Sequence, residues 1–334
     1  METVKVDAAR ILDEMSRLPP TPIVPIRARI RSRDVTIRLK LEKANKWGSI
    51  KDRTALSLVR SVASQLDNPG ATLIESTSGN LGVALASIAR ELDRRFIAVV
   101  DPTVSQVLAA KMTRIGAQLD FVTDSDGNGS YLNARLARVA TLLESVPEAV
   151  WTDQYHNPAN PLAHYRSTAP ELLLQAPGTD AVFVAVSTGG TLAGISRYMR
   201  EYAPGVRVIA VDVPGSRVFG EPRGRRLLTG IGAARRSSFL TPGTWDDTVL
   251  VEDGAAIAVC HQMRQSAGVS LGGSSGAVIA ACVQYMDAHP QIAAPICICA
   301  DGGAAYGHTI YADDWLRAKS VDLARIQAPV VSRG

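Results

Sequence analysis

The stretch "ATLIESTSGNLGVALASIARELD", residues 71–93, decides how the chain folds. Its first residues, Ala71 to Ile74, form an apolar run that fits a buried strand, and from Leu81 the apolar residues recur at helical spacing. Only a short turn of Ser, Thr, Gly and Asn separates the two. A strand passing through a small-residue turn straight into a helix is half of a parallel β-α unit. The order recurs: "RRFIAVVD" precedes "SQVLAAKMTRIG", "AQLDFVT" precedes "SYLNARLARVATLLESV", and "DAVFVAVS" precedes "GTLAGISRYMREY". "VRVIAVDV" and "APICICAD" read as further buried strands. This alternation implies an α/β fold with mostly parallel sheets and helices on both faces. The first three units are expected in one sheet and those from Asp180 onward in a second, with the turn-rich residues 153–161 as the crossing point.

Composition sets the outer limits. The chain has 334 residues, 46% of them hydrophobic, enough for one large or two medium cores. Its net charge is +4, and the basic residues are scattered apart from "RARIRSR" and "GEPRGRR". Clusters this short read as solvated faces, which argues against nucleic acid as a partner. The four cysteines form no CxxC, and Cys297 and Cys299 share one face of a buried strand. Buried reduced thiols and a cytoplasmic protein are expected. The first residues carry no apolar leader, and no apolar run reaches membrane-spanning length.

In open α/β sheets ligands sit beyond the carboxyl ends of strands, where helix N-termini point. Three turns stand out there. "ESTSGNLG" (75–82) lets backbone N–H groups converge on a carboxylate, or is an ordinary helix start capped by Ser78 or Asn80. "VSTGGTLAG" (186–194) offers adjacent glycines flanked by hydroxyls, either a phosphate cradle or a plain tight turn. It matches neither GxGxxG nor the P-loop. "LGGSSGAVIA" (271–280) offers hydroxyls to a ring nitrogen or simply caps its helix. A lysine, Lys51, stands where "KWGSIKDRTALSLV" (46–59) passes from glycine and serine into a helix. By itself it is a solvated helix-start lysine. Beside a phosphate cradle, a carboxylate cradle and a neutral hydroxyl, it completes the set that pyridoxal 5'-phosphate needs: an amine for its aldehyde, donors for its phosphate and a partner for its ring nitrogen.

These motifs resemble the fold-type II pyridoxal-phosphate family of cysteine synthase and cystathionine β-synthase, over nearly the whole chain. The resemblance implies two three-layer αβα domains of the tryptophan synthase β-like kind. A smaller, mobile, substrate-side domain is expected over 53–158, and a larger, cofactor-anchoring one over 1–52 with 159–325. It makes Lys51 the Schiff-base and catalytic residue. It gives Ser187, Thr188, Gly189, Gly190 and Thr191 to the cofactor phosphate, Ser274 to the pyridine nitrogen, and Asn80 to the ring oxygen. Thr77, Ser78, Gly79, Asn80 and Gln154 fall at the substrate carboxylate, and Gly230 of "TGIGA" on the substrate amine side. No metal is implied.

Within the family the chain is most similar to the synthases of 2,3-diaminopropionate formation in siderophore and antibiotic pathways, through "SGNLGVALA", "SYLNARLARV", "QYHNPANPLAHYRSTAPE", "TGIGAARRSSFL" and "HTIYADDWL". That likeness implies β-replacement on O-phospho-L-serine through an aminoacrylate, with L-glutamate as the amine nucleophile. Arg135 and Tyr155 would select the phosphoserine, and Ser187 at the phosphate loop matches the same subgroup. Arg225, Arg226, Arg235 and Arg236 flank "TGIGA" and offer cations for a dicarboxylic second substrate. Ala304 and Ala305, His156 and Lys46 depart from the pattern and bear on that second substrate. The alternatives are a cysteine or S-sulfocysteine synthase, taking O-acetylserine or O-phosphoserine with a sulfur nucleophile, a serine or threonine dehydratase, and a catalytically silent scaffold. A homodimer is expected, with no nucleic-acid or membrane partner.

Overall fold

A computed structural model describes residues 7–17, 19–125, 130–326 and 330–333. The described strands are β1 Ile23–Ile30, β2 Arg33–Leu41, β3 Thr72–Ser76, β4 Arg95–Val100, β5 Gln118–Phe121, β6 Ala149–Trp151, β7 Ala181–Ala185, β8 Arg207–Asp212, β9 Asp247–Leu250, β10 Pro295–Cys299 and β11 Val330–Arg333. They form one sheet in each of two compact units.

The first unit holds Lys51–Ala163 together with the helix Ala8–Met15. Its four strands run parallel in the order β5-β4-β3-β6. Strand alternation sends Ile74, Ile97 and Val99 to one face, where the helix Leu132–Ser145 packs through Val139 and Leu142. The helices Lys51–Ser61, Asn80–Glu91 and Gln106–Ile115 pack on one another in turn. Gly82 lets the middle one approach: a Cβ there would stand 2.4 Å from Met112 Sδ and 3.0 Å from Thr77 Cγ2. The sequence places residues 1–52 in the larger domain, yet the helix Ala8–Met15 joins this unit. Its buried Ala8 and Leu12 form one apolar stripe, and it packs against Lys51–Ser61 and Ala63–Leu66.

The second unit holds Pro20–Ile50 and the chain from His164 onward. Its seven described strands follow the order β11-β1-β2-β10-β7-β8-β9. The five from β2 to β9 are parallel, and β1 is antiparallel to both β2 and β11. Both faces are covered, which is why "AVFVA" and "PICIC" read as unbroken apolar runs. Phe183, Ile209 and Val211 face a core shared with Ile257, Val278 and Cys282. Val182, Val184, Val208 and Ala210 face a second core with Leu172, Leu192 and Ile195. Each such side chain contributes roughly 1.5–3 kcal/mol by leaving water. All four cysteines are buried and unbridged. No helix among the described residues is long and apolar enough to cross a membrane.

The β1–β2 hairpin was not anticipated. Its signal is the alternation of buried Ile26, Ala28 and Ile30 with exposed Arg27 and Arg29, a two-residue period. On β2, Lys40 is wholly buried, and its Nζ donates to Glu171 Oε2 at 2.6 Å, Thr21 O at 2.7 Å and Gln175 Oε1 at 2.7 Å. The ion pair ties β2 to the helix Ala169–Gln175. Removing one partner of a buried pair strands the other charge. Lys40→Met should therefore destabilise the protein by ~3 kcal/mol, read from urea unfolding.

Candidate functional site

In the first unit, Lys51 is the first residue of the helix Lys51–Ser61 and is half-buried. Residues 77–79 join the end of β3 to the helix Asn80–Glu91. That helix has Gly79 as its N-cap, which has no side chain to cap it, and the Gly82 N–H donates to Gly79 O at 3.0 Å. Thr77 is buried, and its N–H donates to Val99 O at 3.0 Å.

Arg135 lies near the start of the helix Leu132–Ser145. Its Nη1 donates to Ser78 Oγ at 3.3 Å, which brings the arginine to the loop 77–79. Its Nε stands 3.2 Å from Asp101 Oδ2, with side chains only 12% and 4% exposed. Arg135 is therefore no solvated surface charge. Asp101 is braced in turn by the N–H of Thr103 at 2.8 Å.

Gln154 and Tyr155 follow β6. Gln154 is buried, its Nε2 donates to Ser76 O at 2.8 Å, and its backbone carbonyl accepts from Asn160 Nδ2 at 2.8 Å. Asp153 holds the turn in a left-handed conformation, φ 47°, while its Oδ1 accepts from the N–H groups of Tyr155 and His156. Beneath lies a residue the sequence reading passed over. Glu75, at the end of β3, is 0% exposed. Its Oε1 accepts from Ser76 N at 2.9 Å, and its Oε2 from Thr152 Oγ1 at 2.6 Å and Gln154 N at 3.2 Å. Complete burial pushes its carboxyl up to about 7, against these three donors and helped by the nearby Asp153 charge.

In the second unit, Ser187, Thr188, Gly189, Gly190 and Thr191 link β7 to the helix Gly190–Tyr202, again without a side-chain cap. Gly189 has φ 85°, and a Cβ there would lie 2.5 Å from Leu240 Cγ. Ser187 Oγ donates to Gly232 O at 3.3 Å, and Gly232 N donates to Val186 O at 2.7 Å, so the loop is stitched to "TGIGA". Ser237 Oγ donates to Thr188 O. Fully buried His164 opens a π-helical turn, its Nδ1 3.0 Å from Thr168 Oγ1 and its Nε2 3.2 Å from Thr191 Oγ1. Periodicity cannot reveal that brace.

Ser274 is buried in the first turn of the helix Gly273–Ala288, whose N-cap Gly272 supplies no side chain. Gly230, φ 80°, adjoins it: a Cβ there would stand 4.0 Å from Ser274 Oγ. The four arginines near this loop separate. Arg226 is largely buried near Asp212 and Asp253, and its Nη1 donates to Ile231 O at 3.4 Å. Arg236 Nε donates to Val218 O at 2.8 Å. Arg225, Arg235 and Arg236 are exposed. Burial pushes the Asp212 carboxyl up to about 6, opposed by hydrogen bonds from Ser216 and Val213 and by Arg226.

The family model described as pyridoxal-phosphate dependent enzyme matches residues 16–299. The chain belongs to that family. It is 39% identical over 301 residues to an N-(2-amino-2-carboxyethyl)-L-glutamate synthase of Cupriavidus metallidurans, covering 89% of this chain and 88% of that one. Its fold superposes on the crystal structure of O-ureido-L-serine synthase with a TM-score of 0.78, 29% identity, and 92% and 98% of the two chains covered. An O-acetylserine dependent cystathionine β-synthase from Helicobacter pylori gives a TM-score of 0.79 at 27% identity, covering 93% of this chain and 100% of that one.

As a member of this family the enzyme uses pyridoxal 5'-phosphate, and its residues fit that group. The uncapped start of the helix Gly190–Tyr202, preceded by a left-handed glycine with no space for a Cβ, is a backbone anion seat. Ser274 supplies a neutral hydroxyl and Lys51 an amine at a helix start.

Gly189→Ala forces a side chain into left-handed backbone and against Leu240, a cost of about 1–2 kcal/mol. The affinity of the apoenzyme for pyridoxal 5'-phosphate should fall about tenfold, as followed by absorbance titration. A second prediction concerns Glu75. With a folded value of about 7 against an ordinary 4.5, the folded state holds an extra proton between those limits. Stability should fall as pH rises through that window, by ~3 kcal/mol at most. Urea unfolding at pH 5 and pH 8 should show the difference, and Glu75→Gln should remove it.

Proposed function

We propose that the enzyme performs β-replacement on an O-activated L-serine, with O-phospho-L-serine as donor and the amine of L-glutamate as nucleophile. The product would be N-(2-amino-2-carboxyethyl)-L-glutamate, a 2,3-diaminopropionate precursor. The observation that carries the reading is Arg135, held by Asp101 and reaching the Ser78 hydroxyl beside the carboxylate loop. A guanidinium placed there suits a phosphate leaving group, which it can meet with paired N–H donors. The likeness to the Cupriavidus synthase, whose name is that of this product, supports L-glutamate as the acceptor.

Lys51 and the backbone N–H groups of residues 188–191 would hold the cofactor, with Asn80 beside its ring oxygen and Ser274 at its ring nitrogen. When bound, pyridoxal 5'-phosphate supplies an electron sink for the pair left on Cα. Thr77, Ser78, Gly79 and Gln154 orient the α-carboxylate of the donor. Lys51 Nζ takes the proton from Cα and returns it after replacement. The Cβ–O bond breaks with its electron pair going to phosphate, and the glutamate nitrogen forms the new C–N bond and loses a proton. Arg135 offsets the charge growing on the departing oxygen, and Tyr155 completes the donor subsite. Ser274 offers a hydroxyl where a carboxylate would fully protonate the ring nitrogen, which favours expulsion of the leaving group over racemisation or transamination. Arg225, Arg226, Arg235 and Arg236 flank the loop 229–233 and offer cations to the carboxylates of the second substrate.

Mass spectrometry of products from phosphoserine or acetylserine, each with L-glutamate or sulfide, tests this reading. The expected dominant product joins phosphoserine and glutamate with loss of inorganic phosphate. Arg135→Ala should lower kcat/KM for phosphoserine about 100-fold, through lost charge-assisted bonds, and for acetylserine much less. A preference for acetylserine that survives Arg135→Ala would overturn the assignment.

A further inference from the structure

We infer that Glu75 is a positioning residue for amino-acid donors, locking the loop that carries Gln154 to the loop that carries Thr77 and Ser78. The inference rests on the proposed reading only in taking those two loops as the seat of the donor's α-carboxylate. The loops lie on neighbouring parallel strands, β3 and β6, yet the ladder between these strands pairs only residues 72–74 with 149–151. Beyond it, side chains must hold the loops together. Glu75 bridges the gap: Oε1 takes the Ser76 N–H of its own loop, and Oε2 takes the Thr152 hydroxyl and the Gln154 N–H of the other. The return contact, Gln154 Nε2 to Ser76 O, closes a ring of hydrogen bonds across the two strand ends.

This ring fixes more than backbone spacing. It commits one N–H of the Gln154 carboxamide to Ser76, which sets the plane of the amide and the direction of its second N–H. Asn160 Nδ2 donates to the Gln154 backbone carbonyl, which holds the main chain of the same loop. The left-handed Asp153 is the link between the two Glu75 donors, Thr152 and Gln154, so the carboxylate also holds that strained turn in place. Three donors converge on the two oxygens, a demand met by an ionised carboxylate and not by an amide. In Glu75→Gln, one oxygen becomes an NH₂ group facing at least one N–H donor. The expected result is a loop pair that still packs but no longer presents its donors together.

The test uses the holoenzyme at pH 8. Donor affinity is read from the change in cofactor absorption on titration with phosphoserine and, separately, acetylserine. Glu75→Gln should raise the half-saturating concentration of both donors about tenfold, equivalent to one lost hydrogen bond of ~1.4 kcal/mol. The spectrum before donor addition should be unchanged, and kcat should change much less than KM. Thr152→Val removes one donor to Oε2 while keeping its shape, and should move the same quantity in the same direction by a smaller factor. It decides the matter if Glu75→Gln does not fold. In the double variant the Thr152→Val effect should largely vanish. Unchanged donor affinity in the variants that fold, or a loss confined to kcat, overturns the inference. Both donors carry the same α-carboxylate. A wild-type preference for acetylserine would therefore defeat the phosphoserine reading and leave this test standing.

Discussion

A helix that begins on glycine has no side chain with which to satisfy its first amide protons, and much of this molecule's chemistry follows from that. Gly79, Gly189 and Gly272 each stand at the N-cap of a helix leaving the sheet region, and none of these helices has a side-chain cap. Peptide dipoles aligned along each helix add partial positive charge at the same place. Water can serve such groups in solution, but an anion or an electron-rich ring atom serves them better. The glycines also remove bulk. No side chain can sit between Leu240 and the backbone at Gly189. Sites of this kind are made by subtraction, and the parallel strands beneath them supply rigidity.

Much of that was legible in the amino-acid order, because strands, turns and helices follow one another with clear changes of period. Other features were not. The hairpin of β1 and β2 alternates correctly, but its arginines drew attention to charge and away from spacing. β6 is three residues long and carries too few letters for a period. Lys40 sits in "IRLKL" like any outward strand residue, and its partner Glu171 lies 131 positions away. Glu75 likewise resembles the polar end of a strand, and only the placement of Thr152 and Gln154 around it makes it a fully buried hub. Loops bearing small and hydroxyl residues can be read because their conformation is local. A buried charge cannot, because its meaning lies with residues remote in sequence.

The arginines illustrate the same division. Spacing alone put four of them around "TGIGA" and one on the helix Leu132–Ser145 without distinguishing their roles. In the folded protein Arg226 feels the charges of Asp212 and Asp253 and bonds to Ile231 O, while Arg135 is divided between Asp101 and Ser78. A guanidinium with five donors on a rigid fork can brace a loop with some of them and face a ligand with the rest. Asp101 thus limits where Arg135 can point, and the Ile231 carbonyl holds Arg226 to its own loop.

The arrangement of the two sheets also orders the birth of the protein. The strands of the four-stranded sheet lie between Thr72 and Trp151, an uninterrupted stretch that emerges from the ribosome as a complete set. The hairpin that ends at Leu41 emerges before any of them, yet its parallel neighbour β10 ends only at Cys299. At about 5–20 residues per second, translation leaves that edge waiting on the order of tens of seconds. The waiting strand β2 carries Arg33 and Arg38, and its hairpin partner β1 carries Arg27 and Arg29. Like charges along an unpaired edge discourage premature pairing with other chains while the second half is being made.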